Sequence, residues 1–145
     1  MGGGVMMEAE SKTMLLELAD LLDVLPDERF DYNTWVGDDW KGAEDLSCGT
    51  SACAAGWATT LPSFRARGLR LHTEDFSVNQ IDLTTGDEMW NGFLALGSVL
   101  HTSYEDAKEL FMAYTWSDRL QEFSPRSGAT ASEVATWIRR WVAAS

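Results

Sequence analysis

In "SKTMLLELADLLDVLP" the apolar residues Met14, Leu15, Leu18, Leu21, Leu22 and Leu25 recur every three or four positions with acids between them, and Pro26 ends the run. That spacing predicts an amphipathic helix. The same period returns in "TGDEMWNGFLALG", through Trp90, Phe93, Leu94 and Leu96, with Gly97 as the expected C-terminal stop. "SYEDAKELFMAY" opens with Ser103 and Asp106 placed as a variant capping box, and "TASEVATWIRRWV" opens with Thr130 and Glu133 as a full one. The second of these carries Val134, Trp137, Ile138, Trp141 and Val142 on one stripe. A shorter helix is expected in "TSACAAGWATTL", starting near Ser51 and barred from continuing by Pro62.

Only "GLRLHTEDFSVNQIDL" alternates: Leu69 and Leu71 with Arg70 and His72, then Phe76, Val78 and Ile81, which admits a small two-stranded hairpin. From Pro26 to Asp45 the periodicity dissolves, and Phe30, Tyr32, Trp35 and Trp40 alternate with acids and glycines as in an ordered loop that tucks its rings inward. The expected architecture is mainly α: one compact domain of about five helices over residues 11–145, with room for a β-hairpin, after a flexible stretch at 1–10. The chain of 145 residues suits a single core.

Charge narrows the function classes. The 23 acids and 11 bases give a net charge of −12, a field that repels phosphate backbones and anionic membrane surfaces. Nucleic-acid polymers and membranes are therefore not expected as partners. The acids are unevenly spread, and residues 51–80 form a slightly basic island holding Arg65, Arg67 and Arg70. No apolar run is long enough to span a bilayer, and "MGGGVMMEAESK" has neither the basic nor the apolar part of a leader, so a cytoplasmic protein is expected.

Both cysteines sit in one run, "LSCGTSACAAGWATTLP". In a reducing compartment they are expected to be free thiols. Zinc would need Cys48, Cys53, His72 and His101 together, and the cysteine spacing is not that of zinc ribbons, so no metal or other cofactor is expected. Cysteine catalysis would draw on the same four residues, a thiolate at a helix start with a histidine base, and stays open as a hydrolase or transferase reading. The packing reading is the stronger one: Ala52, Cys53, Ala55 and Gly56 let a neighbouring element approach closely.

Gly49, Thr50 and Ser51 would offer backbone N–H groups and hydroxyls at the same helix start, where an anion is stabilised. With Arg65, Arg67 or Arg70 to neutralise it and Trp57 or Trp40 to stack a base, these residues make a candidate ligand site. The alternative is a simple helix cap, with the arginines solvated or paired to acids. Asp38, Asp39, Glu44 and Asp45 lack the alternation of a calcium loop and read as a solvated acidic loop. Trp35, Trp40, Trp57, Trp90 and Trp116 are expected mostly in the core, and any that are exposed leave room for a homo-oligomer.

"FDYNTW", "CGTSACAAGWA", "GLRL", "SYEDAKELF" and "TASEVATWIRRW" together resemble a family of small bacterial and phage-encoded proteins with a C-G-T-x-x-C-A-x-G-W/H-A motif, over residues 14–143. The E-A pair of that family's second motif is interrupted here by Asp106. The resemblance implies an accessory protein acting in a host cytoplasm, and by analogy one that holds a nucleotide signal to counter host immunity. The leading expectation is a non-enzymatic binding protein for a small anionic ligand. The alternatives are an acidic module that inhibits a host protein, and the cysteine enzyme.

Overall fold

The structure, a computed structural model, describes residues 7–26, 30, 53–72, 77–126 and 128–145. Helix α1, Ala9–Val24, buries Met14, Leu15, Leu18, Ala19 and Leu22 as its spacing predicts, and Met7 ahead of it is also in the core. Helix α6, Ala131–Ala143, has both halves of its capping box: Glu133 N donates to Thr130 Oγ1 at 3.1 Å and Thr130 N to Glu133 Oε1 at 3.0 Å. It buries Val134, Trp137, Ile138, Trp141 and Val142. The first and last helices form the most extensive helix pair, and Arg139 of α6 bonds Asp20 at 2.8 Å and Asp23 at 2.6 Å on α1.

The fold is mixed α/β, which corrects the expectation of a mainly α domain of about five helices. Among the described residues there are six helices, a three-stranded antiparallel sheet and a two-stranded ribbon. Strands β1, Leu69–His72, and β2, Ser77–Ile81, form the expected hairpin, with Leu71 opposite Val78. The third strand, β3, Glu88–Asn91, pairs with β2 and occupies residues that the helical period had assigned to a helix. Trp90 fits the spacing of Phe93 and Leu94 yet belongs to β3, because Gly92 at φ 57° turns the chain at the first residue of α4, Gly92–Val99. Gly97 is not a stop but lies buried inside α4, where an added Cβ would sit 3.1 Å from the carbonyl oxygens of Thr102 and Ser103.

Helix α2, Ala54–Ala58, begins three residues later than expected, with Cys53 as its N-cap and Trp57 N bonding the Cys53 carbonyl at 3.0 Å. Its alanines and Gly56 are buried, and it packs against α1 and β2, the close approach that small residues allow. Pro62 opens α3, Pro62–Arg65, where its missing N–H costs no helical bond. Helix α5, Tyr104–Phe111, is capped as expected by Ser103, whose side chain accepts from Asp106 N at 3.0 Å. The Asp106 carboxylate turns instead to the Thr102 hydroxyl.

Between α5 and α6 lies an element the sequence pattern did not suggest, the ribbon of β4, Trp116–Ser117, and β5, Glu122–Phe123. Two buried serines fix it, Ser124 to the end of α5 and Ser117 to its own turn. Ser124 Oγ donates to the Met112 carbonyl at 2.7 Å and accepts from Thr115 N at 2.8 Å, while Ser117 Oγ accepts from Leu120 N at 3.1 Å.

Candidate functional site

The basic island is built into the scaffold. Arg67 Nη1 donates to the Val99 carbonyl at 2.8 Å and to Ser11 Oγ at 3.1 Å, and Nη2 lies 3.2 Å from Glu10 Oε1. Ser11 Oγ donates to the Leu100 carbonyl at 2.8 Å. Two carbonyls at the end of α4, which no residue of the helix can satisfy, are thus partnered from outside it. Arg65 Nη1 donates to the Thr59 carbonyl at 3.2 Å, and Arg70 Nη1 to those of Arg65 and Leu69 at 2.9 and 2.8 Å. Trp57 is buried. Gly49, Thr50, Ser51, Trp40 and Cys48 lie outside the described residues, as do Asp38, Asp39, Glu44, Asp45 and Trp35 and the side chain of His72. Arg67 therefore holds the turn between α3 and β1 against α1 and α4, while Arg65 and Arg70 bond carbonyls within the segment from Thr59 to Leu69.

Of the cysteine-enzyme candidates, Cys53 is buried in the core cluster. His101 is half exposed, in the left-handed region at φ 54°, with Nδ1 2.6 Å from Glu8 Oε1. Among the described residues no group of three or more His, Cys, Asp or Glu is placed to hold a metal ion.

The feature the sequence reading missed is the outer face of the β4–β5 ribbon. Trp116 stands directly across from Phe123, their rings edge to face with centroids 5.1 Å apart, and Tyr114 stacks on Phe123 at 4.5 Å and 14°. Such ring pairs stabilise a short ribbon. All three are nonetheless about half exposed, at 52% for Tyr114 and 45% for Trp116 and Phe123, and Met112 beside them is 40% exposed. Trp116 Nε1 donates to Asp118 Oδ1 at 2.9 Å, and the Arg126 guanidinium lies 5.5 Å from the Tyr114 ring centroid. Trp90 is also 46% exposed, so two of the three described tryptophans of the expected core set face outward.

Phe123 continues into a cleft of about 330 Å³ between the ribbon and α6. Phe123 and Pro125 form one wall with Glu122; Glu133, Thr136, Trp137 and Arg140, spaced along one stripe of α6, form the other. Arg140 grips Glu122 with two bonds of 2.6 Å. That grip holds the Glu122 carboxyl below its ordinary value of 4.5 and raises the Arg140 guanidinium above its ordinary range. Behind the α6 wall Trp137 Nε1 donates to the Glu109 carbonyl at 2.8 Å, and one turn on Trp141 Nε1 donates to the Glu109 carboxylate at 3.2 Å.

Spacing alone contained one signal for this surface: Tyr114, Trp116 and Phe123 fall between two capped helices, in a stretch with no helical stripe to bury them. Comparison with family models, curated proteins and solved structures returns no match. No described helix is long and apolar enough to cross a membrane.

Proposed function

We propose that this chain is a non-enzymatic binding protein that acts by engaging a basic host protein in the cytoplasm. The observation that carries this reading is the half-exposed cluster of Tyr114, Trp116 and Phe123, on a ribbon tied to the end of α5 by the buried Ser124. Rings of this kind, rigid and exposed, are the residues that dominate protein interfaces. The net charge of −12 supports a basic partner, since complementary charge raises association rates and selects among partners. The resemblance to phage-encoded proteins supports a host protein as that partner. The engagement of Arg65, Arg67 and Arg70 by carbonyls and acids of the fold favours this reading over the small-anion reading.

The test is capture from host lysate by the immobilised chain, beside a Tyr114→Ser, Trp116→Ser, Phe123→Ser variant of matched circular dichroism. A protein retained by the parent, released by salt and absent from the variant supports the interface. Equal retention by both would overturn it, as would a nucleotide that raises the melting temperature of both equally in a thermal-shift screen.

A further inference from the structure

Which chemistry the partner must present can be read from the cleft beside the rings. Its open apolar surface is that of Phe123 and Pro125, Trp137 lies buried behind it with the Arg140 guanidinium 5.9 Å from its ring centroid, and its charged groups are Glu122, Glu133 and Arg140. Arg140 and Glu122 neutralise each other through their paired bonds. Glu133 has no such counter-charge: one carboxylate oxygen accepts from Thr130 N, and among the described residues no cation pairs with it. The cleft therefore carries one carboxylate without a paired side-chain cation beside the exposed Phe123 ring, on a chain whose field is negative overall. A lysine ammonium or an arginine guanidinium meets both requirements, since each combines an apolar stem that can lie on Phe123 and Pro125 with a cation that a carboxylate and an aromatic ring attract. An incoming carboxylate would face Glu133 and the net charge of the chain.

Because Phe123 belongs both to the cleft and to the exposed ring cluster, the two sites are continuous. We infer that the cleft between β5 and α6 takes a lysine or arginine side chain of an extended partner segment, while an apolar residue near it in that segment covers the Tyr114, Trp116 and Phe123 rings. This rests on the interaction reading above and adds the sequence chemistry that the surface would select.

The probe is a fluorescein-labelled peptide of repeated Lys-Gly-Leu units, read by anisotropy against the full chain, with a control peptide in which every lysine is acetylated. Thr136→Arg blocks the cleft and supplies Glu133 with its own cation; Thr136 is exposed on α6, so the fold tolerates the change. Thr13→Arg, at an exposed position of α1 outside the cleft, matches the charge change. The expected result is saturable binding of the lysine peptide, loss of about tenfold or more with acetylation or with Thr136→Arg, and a change within about twofold for Thr13→Arg. Binding should also shift the Trp137 indole N–H resonance. Equal loss in the two arginine variants would overturn the site, because bulk charge would then explain the affinity. No saturable binding of the lysine peptide up to about 1 mM would overturn it as well. If Thr136→Arg dissolves a dimer of the chain seen by sedimentation, the occupant is a second copy and the basic-segment assignment fails. The interaction reading fails separately, when the triple ring variant retains the same lysate protein as the parent.

Discussion

Arg67, in the turn between α3 and β1, donates to the carbonyl oxygen of Val99 at the C-terminal end of α4, over 2.8 Å. A guanidinium there also meets the partial negative charge of the helix end. Its side chain is only 14% exposed and also faces Glu10. Arg67→Ala is therefore expected to lower unfolding free energy by about 2 kcal/mol in urea titration. Arg67→Lys, which keeps the charge but not the fork, should fall between the two. An unchanged midpoint for Arg67→Ala would free this arginine for a ligand and revive the small-anion reading.

Gly68→Ala should be the more damaging change in the same turn. Gly68 has φ 94°, and an added Cβ would overlap the Ile81 carbonyl oxygen. Strain and overlap together predict a loss of roughly 2–4 kcal/mol, measured by the same titration. Gly86→Ala, at φ 80° but with open space around it, isolates the backbone contribution and should cost about 1–2 kcal/mol.

Glu109 receives both indole N–H groups of α6, one on its carbonyl and one on its carboxylate. Glu109→Ala leaves the fully buried Trp141 Nε1 without an acceptor and is expected to cost about 1–3 kcal/mol. Glu109→Ala in a Trp141→Phe background should cost less, because no donor is then stranded. Additive losses in that double-mutant cycle would show that the bond contributes nothing.

The Glu122 carboxyl should titrate below 4.5 in a carbon-detected NMR pH series, and return toward that value in Arg140→Ala. Its folded value is depressed, so the pair's contribution to stability is present above 4.5 and is lost as pH falls through the lower folded value. Glu122→Gln should accordingly flatten the acid limb of the stability curve. An unchanged Glu122 midpoint in Arg140→Ala would show that the pair is not formed in solution.

Cys53 is 5% exposed, so it should react with a thiol reagent only as fast as the native state opens. Mass spectrometry during labelling, with and without about 6 M urea, measures this. Rapid labelling of Cys53 in the native protein, at a rate independent of pH, would support the cysteine-enzyme reading instead.

These residues also show what spacing can and cannot convey. Helix α1 was legible from the stripe of Leu15, Leu18 and Leu22 and the stop at Pro26, α5 from its Ser103 cap, and α6 from a stripe and a cap, Thr130 with Glu133, that point to the same register. Strand β3 was not, because Trp90 lies at helical spacing from Phe93 and Leu94, and only the left-handed turn at Gly92 separates them. The ribbon was hidden for a different reason: two-residue strands are too short to alternate. Arg65, Arg67 and Arg70 stood out as a basic island, yet composition counts a guanidinium without revealing which carbonyls it faces. The cleft was half legible, since Glu133, Thr136, Trp137 and Arg140 follow helical spacing while Phe123 and Pro125 reach it only through the tertiary fold.

The pairing of α1 with α6 governs how the chain matures. Asp20 meets Arg139 across 119 residues of sequence, so at roughly 5–20 residues per second a ribosome takes about 6–24 s to supply the partner. Through that interval Leu15, Leu18 and Leu22 lack the surface that finally covers them. The nascent chain therefore presents a leucine stripe flanked by acids, and its native contacts with α6 close only after α6 leaves the exit tunnel.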